Sequence, residues 1–156
     1  MAKLKEGDKA PDFKALSNEG REVSLKDFKG KSRVILYFYP KDDTPGCTVE
    51  ACEFRDSIKA VKAQGAVVLG VSPDAPKSHQ KFIDKFKLTF PLLSDENKAV
   101  CKSYGVWVKK SMYGREYMGV ARTTFLIDKD GRIERIFEKV KPAGHAGEVL
   151  EVLKSA

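Results

Sequence analysis

Pro40, Thr44, Cys47 and Cys52 lie within thirteen residues of one another, and Arg122 follows far downstream. A cysteine acts as a nucleophile in its thiolate form, so the question is whether the local sequence builds a place for one. Asp43-Thr-Pro-Gly46 reads as a helix start, with Thr44 suited to the N-cap and Pro45 to the first helical position. Cys47 then falls at the third helical position, beside backbone N–H groups that have no intrahelical acceptor. Those donors and the helix dipole favour a thiolate over a thiol. The Thr44 hydroxyl is placed to donate to an oxygen or sulfur held there. Pro40 removes one donor and stiffens the turn, walling the site off from water. On spacing alone, a small buried residue at a helix start is the other reading of Cys47.

Cys52 lies five residues on. Five helical residues rotate about 500° and rise about 7.5 Å, which sets the two Cα atoms about 8.6 Å apart, beyond the ~7 Å limit for a disulfide. If the two thiols never bond, the helix stays intact. If they bond, its first turns must unwind, and a disulfide that demands unwinding is readily reduced, as a catalytic one should be.

The chain has 156 residues, 42% hydrophobic and 33% charged, which fits one globular domain over 1–156 without disulfide staples. Three cysteines are too few for a stapled secreted scaffold, and the odd number leaves at least one unpaired within the chain. The first residues, Met1 to Asp8, hold no apolar stretch of the kind a signal sequence needs, and no run approaches a membrane span. The expectation is a cytoplasmic protein with no membrane partner, in a compartment where thiols are kept reduced. Lys and Arg exceed Asp and Glu by 29 to 22, giving +7. The two signs interleave along the chain, with Lys109-Lys110 the only tight basic cluster, which argues against nucleic acid as a partner. With two histidines, His79 and His145, far from a Cys-x4-Cys pair, no metal site is expected. Glu50 reads as a solvated first-turn carboxylate, with pairing to an active-site arginine the alternative. Cys101 reads as a half-buried small residue on a helix.

The elements that must position these residues follow from periodicity. Lys14 to Leu25 reads as a hairpin turning at Ser17–Gly20. Val34–Tyr39 and Ala66–Val71 are continuous apolar runs, read as strands buried on both faces. Phe54, Ile58 and Val61 mark a helix burying one stripe, and Phe82, Ile83 and Phe86 a second. Phe90–Leu93 is extended and Asp95–Tyr104 helical. Lys109–Arg115 has a basic, Gly-containing, loop-like composition, read either as an edge of the active site or as a plain surface loop. Thr123–Asp128 and Arg132–Phe137 form a closing hairpin, before a last helix carrying Ala146, Val149, Leu150 and Leu153. Strands alternating with helices imply an α/β fold with a central mixed sheet and flanking helices, the pattern of a thioredoxin-like domain with an added N-terminal β-hairpin.

Pro40-x3-Thr44-x2-Cys47 resembles the peroxidatic motif of peroxiredoxins. The fuller string from Tyr39 to Cys52 resembles the bacterioferritin comigratory protein, or peroxiredoxin Q, subfamily, and Ala121-Arg122-Thr123-Thr124-Phe125 resembles the family's catalytic-arginine strand. The resemblance runs from Gly7 to the final helix. It implies a peroxidase acting on hydrogen peroxide and organic hydroperoxides, with no cofactor and no metal. Cys47 would be the peroxidatic nucleophile and Arg122 would stabilise its thiolate and orient the peroxide. Thr44 and the Cys47 N–H would stabilise charge in the transition state, and Pro40 would shield the pocket. Cys52 would be the resolving thiol, its disulfide with Cys47 reduced by a thioredoxin or glutaredoxin-like partner, and a monomer suffices. Three other readings compete. A protein thiol–disulfide oxidoreductase would want Cys-x-x-Cys at the helix start. A one-cysteine peroxidase would rely on an external thiol. A basic nucleic-acid-binding domain is suggested only by +7.

Overall fold

The computed structural model describes residues 3–155; Met1 and Ala2, part of the N-terminal stretch read above, and Ala156 lie outside the described residues. Among the described residues a seven-stranded mixed sheet runs in the order β2-β1-β5-β4-β3-β8-β9. Its strands are β1 (Lys14–Ser17), β2 (Glu22–Ser24), β3 (Arg33–Phe38), β4 (Ala66–Ser72), β5 (Leu92–Ser94), β8 (Thr123–Ile127) and β9 (Ile133–Phe137). The central strands β3, β4 and β5 are parallel, as right-handed crossovers through helices require, while the hairpin strands at each side pair antiparallel. A separate two-stranded ribbon joins β6 (Trp107–Met112) to β7 (Arg115–Val120).

β3 shows why a continuous apolar run was needed. Its alternate side chains enter two different cores. Ile35, Tyr37 and Tyr39 pack under α1 (Pro45–Asp56), α2 (Ile58–Ala63), α3 (Pro76–Phe86) and α5 (His145–Ser155). Val34, Leu36 and Phe38 pack under α4 (Ala99–Ser103) and the N-terminal segment around Phe13. The strand ends at Phe38, but the Tyr39 N–H still reaches Val71 O at 3.0 Å. Pro40 has no N–H to continue the ladder.

The structure departs from the sequence expectations at four places. The Phe54–Val61 stripe is shared by two helices, because Ser57, at φ −96° and ψ 2°, folds its N–H back onto the Glu53 and Phe54 carbonyls and interrupts the axis. The stripe nevertheless faces one core throughout. The helix expected over Asp95–Tyr104 shrinks to α4, because Asp95 is spent as a cap: its carboxylate accepts the N–H groups of Val100 at 3.0 Å and Cys101 at 2.7 Å. Leu25 leaves the first hairpin and opens a 3-10 turn, Leu25–Phe28. The Lys109–Arg115 segment is the tip of the β6–β7 ribbon rather than a loop. Tyr113 and Gly114 both take positive φ, 52° and 78°, the conformation of a two-residue hairpin turn that Asn-Gly usually signals. Tyr-Gly hides that signal.

Gly70 of β4 is where the sheet leaves room for the site above it. A Cβ there would stand 2.7 Å from Leu92 Cδ2 and 2.9 Å from the Tyr37 ring, both fully buried. Gly70→Ala should therefore cost about 1–3 kcal/mol of stability through overpacking. Denaturant unfolding of the two proteins measures it, and an unchanged midpoint would show that Tyr37 can yield.

Candidate active site

α1 begins as its sequence dictates, with Thr44 in an extended N-cap conformation and Pro45 in the first turn. The first bond of the helix runs from Thr48 N–H to Thr44 O at 2.8 Å, so the Cys47 N–H precedes the intrahelical ladder. The Cys47 side chain is 1% exposed. Arg122 meets it from the opposite side. Its Nη2 donates to Cys47 Sγ at 3.1 Å and its Nη1 to Glu50 Oε1 at 3.3 Å. One guanidinium thus spans the sulfur and a carboxylate one turn further along α1, a fork that a lysine ammonium does not reproduce.

Arg122 is fixed by its backbone. It directly precedes β8, whose Thr123 pairs with Phe38 at the end of β3, so the sheet register delivers the arginine beside the Pro40 turn. Ala121 N–H bonds Val106 O at 2.8 Å and Val140 N–H bonds Arg122 O at 3.2 Å. The approach to α1 is close: a Cβ on Gly46 would lie 2.9 Å from Arg122 Nη2 and 3.3 Å from Pro142 Cγ. Glycine at position 46 is what admits the guanidinium.

Glu50 is buried, not solvated, which corrects the default sequence reading and selects its alternative. Burial raises its carboxyl from the ordinary 4.5 to about 7, against the opposing pull of Arg122. Its Oε2 and the nearby Tyr37 hydroxyl are buried without a hydrogen-bond partner among the described residues. Tyr37 stacks on Phe54 at 4.9 Å and forms the apolar floor. Burial, with the charges of Glu50 and Cys47 adding to it, raises its phenol well above the ordinary value.

Thr44 is half-buried at the helix entrance. The sequence reading made its hydroxyl a donor toward the site. Instead it donates to the Lys41 carbonyl at 3.0 Å, which leaves its oxygen lone pairs as acceptors. Pro40 is half-buried in the turn after β3. Cys52 is half-buried on the intact α1, and all three cysteines are free thiols. Cys101 lies in the opposite core, fully rather than half-buried. Burial, then the Asp95 carboxylate, pushes its thiol up and keeps it protonated. Sequence reasoning missed Tyr37 and Pro142. Lys110 sits within electrostatic reach of both Arg122 and Cys47, its ammonium lowered by burial first and then by Arg122.

Residues 6–136 match the AhpC/TSA family. The chain belongs to that family. It is 54% identical to a putative peroxiredoxin bcp of Coxiella burnetii over 92% of this chain and 95% of that one. It is 49% identical to peroxiredoxin Bcp of Bacillus subtilis over 95% and 94%. A solved structure of the Xanthomonas campestris bacterioferritin comigratory protein, described for its alkyl peroxide reduction activity, superposes with a TM-score of 0.87 at 39% identity, covering 92% of this chain and 90% of that one. This peroxiredoxin, a thiol peroxidase, has the thioredoxin-like fold of those neighbours. Among the described residues no helix is long and apolar enough to cross a membrane.

The raised Glu50 carboxyl has a measurable consequence. The folded state binds this proton more tightly than the unfolded chain, so its stabilisation is complete below about pH 4.5 and is lost as pH rises through about 7. The unfolding free energy of the wild type relative to Glu50→Gln should fall over that interval, by at most ~1.4 kcal/mol per pH unit. A pH-independent difference would mean that Glu50 titrates normally in the fold.

Proposed function

We propose that Cys47 is the peroxidatic nucleophile of a hydroperoxide reductase that acts on hydrogen peroxide and organic hydroperoxides. The observation that carries the reading is the 3.1 Å approach of Arg122 Nη2 to the buried Cys47 sulfur. A thiolate there is held by the guanidinium, the helix N-terminus and little water. It attacks the terminal peroxide oxygen, the O–O bond breaks, and the electron pair leaves with the alkoxide or hydroxide, which takes a proton to depart as alcohol or water. Cys47 is left as a sulfenic acid. Arg122 and the Cys47 N–H stabilise the negative charge that moves onto the peroxide oxygens. Thr44 Oγ1 accepts the hydroperoxide O–H and so sets which oxygen faces sulfur. Pro40 shields the pocket. The activity described for the Xanthomonas campestris relative supports the extension to alkyl peroxides.

Cys52 resolves the sulfenic acid: its thiolate displaces hydroxide, water is released and a Cys47–Cys52 disulfide forms. Both residues lie in the same helix, so no second subunit is needed and the protein works as a monomer. The bond requires α1 to unwind at its start, and the resulting disulfide is easily reduced by a thioredoxin or glutaredoxin-like dithiol, the partner expected in a reducing cytoplasm.

One equivalent of hydrogen peroxide should consume two thiols and give a Cys47–Cys52 disulfide in a monomer, read by peptide mapping. Cys52→Ser should react once and accumulate sulfenic acid, Cys47→Ser should not react, and Cys101→Ser should behave as wild type. A Cys47–Cys101 or intermolecular bond would overturn the assignment of Cys52. Unimpaired thioredoxin-coupled turnover in Cys52→Ser would establish an external resolving thiol instead. In the oxidised protein the amides between Cys47 and Cys52 should lose exchange protection.

A further inference from the structure

A buried polar cluster outside the chemistry above holds the Pro40–Thr44 turn. Asp42 is 7% exposed and His79, in α3, is 0% exposed. His79 Nε2 lies 2.9 Å from the Leu93 carbonyl, which can only accept, so this nitrogen donates to β5. Its Nδ1 lies 2.8 Å from Asp42 Oδ2. The same carboxylate accepts the Ser78 hydroxyl at 2.8 Å and the Tyr39 hydroxyl at 2.6 Å. Burial raises the Tyr39 phenol well above its ordinary value, so it stays a donor. The Asp42 N–H donates to Asp74 Oδ2 at 2.8 Å, and that oxygen also takes the Ser72 hydroxyl at 2.8 Å.

The donors and acceptors of Asp42, Asp74 and His79 are therefore largely spent on one another and on their neighbours, as a clamp rather than an ion site. The clamp ties the residue after β3, the turn after β4 and α3 to Asp42, through its carboxylate and its N–H, in the turn that leads into α1, and His79 extends it to β5. At the surface Lys85 of α3 adds a 2.8 Å contact to Asp43, which sits at φ 54°. What this turn delivers is the Lys41 carbonyl, which takes the Thr44 hydroxyl proton at 3.0 Å. A hydroxyl rotor points where its best acceptor lies. Fixing that acceptor fixes the lone pair that Thr44 offers to a peroxide.

We propose that Asp42 and His79 are positioning residues for the peroxide reaction, holding the Lys41 carbonyl so that Thr44 Oγ1 faces the hydroperoxide as an acceptor. The proposal rests on the reading of Cys47 as the nucleophile. It assigns the cluster an effect on the peroxide and none on the thiol itself, because Arg122 and the α1 N-terminus hold Cys47 from other directions.

The test is a double-mutant cycle in the Cys52→Ser protein, reading two rates: loss of the Cys47 thiol to hydrogen peroxide, and its alkylation by iodoacetamide without peroxide. Asp42→Asn should slow the peroxide reaction by roughly 10- to 100-fold, as misplacement of an orienting group does. Ser78→Ala and Tyr39→Phe, which each remove one hydrogen bond and disturb the fold less, should slow it by roughly 2- to 10-fold. Alkylation should be unchanged in all three. In a Thr44→Val background none of them should slow the peroxide reaction further. Additive losses in that background, alkylation slowed in step with peroxide, or full peroxide rates in Ser78→Ala and Tyr39→Phe should Asp42→Asn fail to fold, would each overturn the clamp. Peroxide consumption that persists in Cys47→Ser would instead defeat the underlying assignment of the nucleophile, an outcome separable from the other three.

Discussion

A guanidinium shared between a sulfur and a buried carboxylate is an arrangement that several parts of the fold must cooperate to maintain. Arg122 directly precedes the strand that pairs with β3, while Cys47 and Glu50 come from the helix that follows β3. The sheet register therefore sets the distance between the cation and its two partners. Gly46 and Pro142 set how closely the helix can approach. Burial makes the contact worth having, since a charge-assisted hydrogen bond gains strength where water is scarce. It also imposes a cost on Glu50, whose carboxyl is pushed up to about 7 and whose second oxygen has no partner among the described residues. A buried, imperfectly paired polar group of this kind is characteristic of sites where function and stability compete.

α1 carries a second tension. As a regular helix it presents the Cys47 N–H and its dipole to the sulfur, and the same regularity keeps Cys52 away. The Cys47 nucleophile and the Cys47–Cys52 disulfide proposed above would therefore demand different conformations of the same residues. Ser57 ends α1, and the Phe54–Val61 stripe continues across it into α2 against one core. Ahead of the helix, the Pro40–Thr44 turn is bound to α3 and the sheet through Asp42.

Much of the site was legible without coordinates. Thr44-Pro-Gly-Cys47 specifies a helix start, and the third helical position of the cysteine follows from capping rules alone. The apolar runs at Val34–Tyr39 and Ala66–Val71 read as strands buried on both faces. Glu50 was misjudged because its charge and its place in the first turns suit a solvated carboxylate equally well. Only Arg122, 72 residues away in sequence, makes a buried position tolerable. The β6–β7 ribbon was missed because Tyr113-Gly114 is an uncommon turn pair, although Gly114 supplies the positive φ such a turn requires.

The sequence by itself determined which residues carry reactive groups and how the backbone around Cys47 is capped, because helix starts, turns and alternation are short-range effects written within a few residues. Tertiary structure alone decided which partners those groups meet: that Arg122 reaches the sulfur, that Glu50 is buried, that Cys101 is sealed in the opposite core, and that His79 clamps the turn ahead of Thr44. Each of those outcomes depends on what packs over a residue from distant parts of the chain, and local periodicity carries no record of burial or of long-range pairing.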